Sequence, residues 1–178
     1  GIDLDAFYAA VNQVESSFIR VDADEVTYNL HILLRFELEQ ALVEGQVAIA
    51  DLPELWNTSM QEYLGLRPKN DAQGVLQDVH WSMAAFGYFP TYTLGNLYAA
   101  QLLQAMSKDL GNIDSLIEGG DWTPMLDWLR TNIHEKGSVM TPAELIQQAT
   151  GSPPARQRDS PGAHRRPWWW HAPSPTGC

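Results

Sequence analysis

Apolar residues recur at spacings of three and four from about Ala23 to Glu44: Val26, Leu30, Leu33, Leu34, Leu38, Ala41 and Leu42. Glu25, Arg35, Glu39 and Gln40 fall on the opposite face. This period predicts an amphipathic helix, with Asp22 or Asp24 to cap its start and Gly45 to stop it. A second helix is expected to open at Asp51, with Pro53 early and Glu54 three residues after the cap, and to close at Gly65. A third is expected from about Thr93 to Leu110, with Leu94, Leu97, Tyr98, Leu102, Ala105 and Met106 on one face. Thr123-Pro124 opens a fourth, which turns Met125, Leu126, Leu129 and Ile133 inward and ends at Gly137. Thr141-Pro142-Ala143-Glu144 reads as a capping box for a short fifth. A weaker helical stretch spans Asp5 to Val14. Strand patterns are thin, so the predicted class is mainly α.

Between Asn70 and Tyr92 the helical period lapses. This stretch is rich in aromatics and glycines and sets His80 beside Gln77-Asp78. Long irregular segments inside helical domains are often functional.

Charge divides the chain. Residues 1–150 hold 7 Lys+Arg against 21 Asp+Glu, whereas residues 151–178 hold 4 Arg against 1 Asp, within a total net charge of −11. The last 28 residues lack Leu, Ile, Val, Phe and Met, and they contain 6 of the 11 prolines and the run Trp168-Trp169-Trp170. With so little aliphatic surface to offset ordering entropy, 151–178 is expected to be unstructured. Two origins stay open for it, a natural disordered extension and an out-of-frame reading, since its residue types share G+C-rich codons. The body, 1–150, is then one helical portion of a domain, and its start at Gly1-Ile2-Asp3 reads as a cut through a longer chain.

The acidic balance argues against nucleic acid or an anionic membrane as partner, and no apolar run reaches the roughly 18 residues of a membrane span. The single cysteine, Cys178, permits neither an intramolecular disulfide nor a cysteine zinc site, which suits a reducing compartment such as the cytoplasm. Phosphate-cradling loops, a nucleophile elbow and C-x-x-C are absent. His134-Glu135-Lys136-Gly137-Ser138 approaches H-E-x-x-H but lacks the second histidine, so it cannot set two imidazoles on one helical face.

Two segments carry a specific resemblance. Ile19-Arg20-Val21-Asp22-Ala23-Asp24-Glu25 and Gly74-Val75-Leu76-Gln77-Asp78-Val79-His80-Trp81 resemble the I-R-x-x-A-D-E and G-x-x-Q-D-x-H-W motifs of the thermostable (Taq-type) metallocarboxypeptidases, metallopeptidase family 32. Thr27-Tyr28-Asn29-Leu30-His31 and Gly87-Tyr88-Phe89-Pro90-Thr91-Tyr92-Thr93-Leu94-Gly95-Asn96 are also similar to family text. The resemblance covers about residues 1–152 and corresponds to the C-terminal third of a family member. It implies a mostly helical, cleft-containing zinc peptidase fold. It also implies a cytoplasmic homodimer that removes single residues from peptides with a free C-terminus. The zinc motif and its general base would lie upstream, outside this chain, so the fragment is expected to be inactive alone and to expose apolar surface. One departure is Ala84, which stands where many relatives have glycine. The rival reading is a noncatalytic helical interaction module.

A terminal carboxylate suits a guanidinium, whose planar fork matches two oxygens. Arg20 is the candidate, and the plain alternative is a structural ion pair with Asp22 and Asp24. With the resemblance, His80 and Tyr92 become candidate donors to the substrate or to a developing oxyanion. Tyr88 is a second phenol in reach, Asp78 an orienting neighbour, and Gln77 and Trp81 parts of the cleft wall. His31 reads as structural, and Glu135 has no expected role.

Overall fold

A computed structural model describes residues 1–154. The expectation for the tail therefore falls, from residue 155 onward, outside the described residues. The chain forms two units, Gly1–Thr93 and a second that begins at Leu94. Every regular element among the described residues is helical, and none of these helices is long and apolar enough to cross a membrane.

In the first unit, α1 (Leu4–Val11) is capped by Asp3, whose carboxylate accepts the Ala6 N–H at 3.3 Å. It buries none of its residues, so Leu4, Phe7, Tyr8 and Val11 stand exposed. α2 (Tyr28–Val43) starts later than its apolar period suggests. The cause is Asp24, which binds ahead of the helix instead of at its cap. Its carboxylate accepts the Val26 and Thr27 N–H groups at 2.8 and 2.9 Å and the Thr27 hydroxyl at 2.8 Å, holding 24–27 as a turn. Those hydrogen bonds, led by Thr27, lower its pKa to about 2.

α3 (Leu52–Leu64) has Pro53 in its first turn and ends at Gly65 with φ +71°. Asp51 gives it no side-chain cap, and Glu54 instead pairs with exposed Arg67 at 2.7 Å. Leu34 and Leu38 of α2 pack with Leu52, Trp56, Met60 and Leu64 of α3 into one core. Full burial of each such side chain contributes on the order of 1.5–3 kcal/mol.

α2 is buried on more than its apolar stripe. Arg35 and Glu39, expected on a solvated face, are 0% and 4% exposed, while Val26 is 65% exposed. The 3.6-residue pattern finds the axis of this helix but not its full buried arc.

From residue 70 the chain runs through successive turns to α4 (Pro90–Leu110), which begins three residues before the expected Thr93. Gly74 enters this loop where the backbone passes close to α3. A Cβ there would lie 3.3 Å from Asn57 Oδ1 and 3.4 Å from the Asn70 carbonyl oxygen. At 80–85 the N–H of Ala85 reaches the His80 carbonyl at 2.8 Å and that of Ala84 reaches the Trp81 carbonyl at 3.0 Å. This is the Schellman closure, whose penultimate residue must be left-handed. Ala84 occupies it with φ +57°, the one non-glycine residue with positive φ among those described. Ala84→Gly is therefore expected to stabilise the chain by about 1 kcal/mol, read as a rise in the urea midpoint. A lowered midpoint would mean that the methyl group packs usefully.

In the second unit, the last part of α4 gives Ala105 and Met106 to a core with Ile113 and Trp128. α5 (Ile113–Glu118), which the periodicity does not signal, is capped by Asn112 accepting the Ser115 N–H at 3.2 Å. α6 spans Thr123–Asn132, where Trp128 is buried and donates its indole N–H to Asp109 at 2.7 Å, while Leu126, expected inward, is 40% exposed. α7 (Pro142–Thr150) opens with the expected capping box, in which the Thr141 N–H meets Glu144 at 2.8 Å.

Candidate functional site

All seven residues singled out from the sequence lie in the first unit, and six form one cluster. Arg20 sits in a short 3-10 turn, Arg20–Asp22, with its side chain 8% exposed. Its Nε and Nη2 donate to Asp78 Oδ1 at 3.1 and 2.7 Å, and its Nη1 donates to the Tyr28 hydroxyl at 3.1 Å. The counter-ion of Arg20 is thus Asp78, 58 residues along the chain, and not the adjacent Asp22 or Asp24 that the alternative reading paired with it. The guanidinium also lies over the rings of Tyr92 and Tyr28, 5.1 and 5.9 Å from their centroids.

Gln77 fixes the backbone beneath it. Its Oε1 accepts the Arg20 N–H at 3.0 Å, and its Nε2 donates to the carbonyls of Phe18 and Gln73 at 3.0 Å each. Asp78 Oδ2, the second oxygen, accepts from Arg35 Nε at 2.5 Å. Arg35 Nη2 also reaches Gln77 Oε1 at 2.7 Å, and its Nη1 reaches the His31 carbonyl at 2.8 Å. Its guanidinium rests on the face of Trp56, 4.5 Å from the centroid.

His80 Nε2 and the Tyr92 hydroxyl are 3.0 Å apart. The His80 ring packs on Phe89 (4.4 Å between centroids) and Tyr88 (5.6 Å), and its Nδ1 lies 3.8 Å from Asp78 Oδ1, buried without a hydrogen-bond partner. Tyr88 is 49% exposed and forms the open edge. Trp81, the seventh residue, stands apart from the ion cluster. It donates its indole N–H to Glu39 at 2.8 Å and meets Trp56 and Phe89 edge-on. The other oxygen of Glu39 accepts the Gly87 N–H. Trp81 and Phe86 also wall an apolar cavity of about 440 Å³ with Leu42, Val43, Val47, Ile49 and Leu52. Its lining offers no charged group to orient a polar substrate.

The charges in the cluster support one another. Burial opposes the ionised form of Asp78, but Arg20 and Arg35 outweigh it and hold the carboxyl below its usual range. Burial likewise works against the charge of Arg20, yet its hydrogen bond to Asp78 leaves its pKa raised. Arg35 is so deeply buried that desolvation lowers its pKa to about 10, where it is still a cation at neutral pH. Desolvation raises the pKa of Tyr92, keeping the phenol protonated as a donor.

His31, expected to be structural, is fully buried behind this cluster, and neither ring nitrogen has a partner. Burial, then the charges of Arg35 and Arg20, lower its pKa to about 4. The folded chain therefore holds it neutral, while the unfolded chain protonates it near pH 6.5. Its contribution is complete above about pH 6.5 and erodes as the pH falls towards 4, the loss amounting to roughly 3 kcal/mol across that window. His31→Leu is expected to flatten the pH dependence of the urea midpoint between pH 7 and 4.5. An unchanged slope would place the titrating group elsewhere.

Arg35, Glu39 and Tyr28 are the residues that the sequence reading passed over as members of the site. Arg35 carried a signal, a lone charge between Leu34 and Phe36 in an otherwise apolar run.

These residues do not form a metal centre. Among the described residues no three His, Cys, Asp or Glu side chains are grouped to hold an ion, and His134 and Glu135 lie on a separate 3-10 turn in the second unit.

A model of the carboxypeptidase Taq (M32) metallopeptidase family matches residues 1–158. The chain belongs to the M32 family. The M32 chain is 50% identical over 150 residues to carboxypeptidase 1 of Bacillus subtilis and 51% identical over 154 residues to thermostable carboxypeptidase 1 of Thermus thermophilus. These stretches cover 84% and 86% of the chain, and 30% of each relative. It also superposes on the crystal structure of an M32 carboxypeptidase from Deinococcus radiodurans, with a TM-score of 0.83 and 40% identity, covering 87% of this chain and 31% of that one. For metallocarboxypeptidase 1 of Trypanosoma cruzi the TM-score is 0.80 at 42% identity, over 85% and 32%. The M32 chain thus spans about three tenths of the length of the relatives it matches, and its helical class is theirs.

Proposed function

We propose that this chain is the substrate-recognition part of a zinc-dependent carboxypeptidase that hydrolyses the last peptide bond of peptides with a free C-terminus. Among the described residues no group of His, Cys, Asp or Glu suits the metal, and on this reading its ligands and the general base belong to the rest of the enzyme. When bound, the zinc supplies the nucleophilic water of the reaction. This chain supplies recognition. The intact enzyme is a cytoplasmic homodimer on this reading.

The observation that carries it is the donor count at Arg20. A guanidinium has five N–H groups. Nε, Nη2 and Nη1 each direct one at Asp78 or Tyr28, which leaves one N–H on each Nη. On this reading those two grip the substrate's terminal carboxylate with two parallel hydrogen bonds. Tyr92, polarised through its hydrogen bond with His80, lies against the same guanidinium. On this reading His80 donates its Nε2–H to the phenol oxygen, and the Tyr92 hydroxyl donates to the oxygen that gains negative charge as the scissile carbonyl is attacked. Asp78 and Gln77 hold Arg20 in position. Tyr88 lines the approach, and Trp81 braces the loop from behind through Glu39.

The test is a full-length chimera in which residues 1–150 replace the corresponding stretch of the Bacillus subtilis relative. The chimera is expected to remove the last residue of an N-blocked peptide and to leave the C-terminal amide of the same peptide intact. A cooperatively folding, zinc-loaded chimera that treats acid and amide alike would remove the basis of the reading.

A further inference from the structure

The geometry points to Arg35 as a positioning residue that sets the affinity of the site for a carboxylate, although it cannot touch one. This inference rests on the proposed recognition role of Arg20.

Arg35 has no exposed surface, and each of its three nitrogens already has an acceptor: Asp78 Oδ2, the His31 carbonyl and Gln77 Oε1. Trp56 closes one face of the guanidinium at 4.5 Å, and Phe89 is 5.7 Å away. A substrate has no route to it. What Arg35 changes is the charge balance around Arg20.

Arg20 and Asp78 alone would be a neutral pair, one cation to one anion, and a neutral pair offers little field to a second anion. With Arg35 on the far oxygen, Asp78 faces two cations at 2.7 and 2.5 Å. The three groups together carry one positive charge in excess. Because Arg35 is fully buried and Arg20 keeps 8% of its side chain exposed, that excess can act on a ligand only through Arg20. Glu39, one turn further along α2, does not cancel it by contact. Its two oxygens bind the Trp81 indole and the Gly87 N–H, and among the described residues both guanidiniums form their ion pairs with Asp78. At a separation of a few ångströms in a half-dry site, one unit charge changes the affinity for an arriving anion roughly tenfold or more, so its presence tunes how tightly a carboxylate is held.

Arg35 also ties two anchors of the fork together. The same Gln77 Oε1 accepts from Arg35 Nη2 and from the Arg20 backbone N–H. Geometry and charge are therefore both set from α2, and they are separable by experiment. If Arg35 acts by charge, removing Asp78 as well should restore what its own loss takes away. If it only props the loop, the second removal should make matters worse.

In the chimera, Arg35→Met is expected to raise KM for the free-acid peptide roughly tenfold or more, with kcat changed by less than about threefold. Adding Asp78→Asn, which keeps an acceptor for Arg20 but removes the negative charge, is expected to bring KM back to within about threefold of the parent. Circular-dichroism melts accompany each variant. If Arg35→Met alone does not fold, the double variant still decides: a parent-like KM supports the assignment, and a folded double variant whose KM stays tenfold high overturns it. A parent chimera with no preference for acid over amide would be the failure of the recognition reading itself, visible before any Arg35 variant is made.

Discussion

Asp78→Ala is expected to destabilise the folded chain by about 3–5 kcal/mol, measured by urea unfolding of the 178-residue protein at pH 7. The magnitude follows from what is left behind. Arg20 and Arg35 are 8% and 0% exposed, and Asp78, itself 11% exposed, is the ion-pair partner of both. Alanine removes three charge-assisted hydrogen bonds and leaves two buried cations without their shared anion, Arg35 against Trp56 and Phe89 and Arg20 against Tyr28 and Tyr92. Removing one partner of a buried pair costs far more than the pair contributes over a hydrophobic substitute, because the uncompensated charge stays buried.

Asp78→Asn keeps an acceptor for one guanidinium, but it presents an N–H to the other and removes the charge, so its loss should fall between alanine and wild type. The pH dependence has a definite sign. The folded-state pKa of Asp78 lies below its ordinary 3.8, so its contribution is present above that value and disappears as the pH falls through the folded-state pKa. A cost below about 1 kcal/mol for Asp78→Ala would show that water screens this cluster as it does a surface pair.

How much of this was legible in the sequence depended on how local the cause was. Capping is local. The Thr141 to Glu144 box of α7, the glycine after α3 and the proline in the first turn of α3 could be read within four residues, and each is present. The body of α2 was legible from its period, but its first turn was not. Asp24 can serve as a helix cap or as the acceptor of a preceding turn, and the choice depends on the Thr27 hydroxyl and the Glu15 N–H that it also binds. α5 is only six residues long, too short to show a period.

The site divides in the same way. Two motifs named Arg20, Gln77, Asp78, His80 and Trp81, and the aromatic text beyond them supplied Tyr88 and Tyr92. Spacing alone could not pair Arg20 with a carboxylate 58 positions away and offered only the aspartates beside it as ion-pair partners. Arg35 and Glu39 were hidden because helical periodicity assigns charged residues to water. Here the 70–92 loop folds over that face of α2 and brings Asp78, Gln77, Trp81 and the Gly87 N–H to meet them. A charged residue inside an apolar run hints at burial, as at Arg35, but its partner lies in another segment and is not legible from the run itself.

Arg20→Ala in the chimera should lower kcat/KM for free-acid peptides by the equivalent of about 2–5 kcal/mol, from tens-fold to a few thousand-fold. Its diagnostic feature is selectivity. If, as proposed, the fork serves only the terminal carboxylate, hydrolysis of the C-terminal amide, already slow, should hardly change, and the ratio of acid to amide should collapse. General damage to the fold would depress both substrates together. Some damage is expected, because the substitution also frees Asp78 Oδ1 and the Tyr28 hydroxyl. Asp78 nevertheless keeps Arg35, and the backbone N–H of residue 20 keeps Gln77, so the loop retains its anchors.

Arg20→Lys separates charge from shape. An ammonium at this position restores the cation but has no planar fork and cannot bind Asp78 side-on while presenting two parallel donors outward. It should recover only part of the loss, chiefly in KM. Full recovery by lysine would show that the site reads charge alone, and an acid-to-amide ratio unchanged in Arg20→Ala would take Arg20 out of substrate recognition and leave it as a structural partner of Asp78.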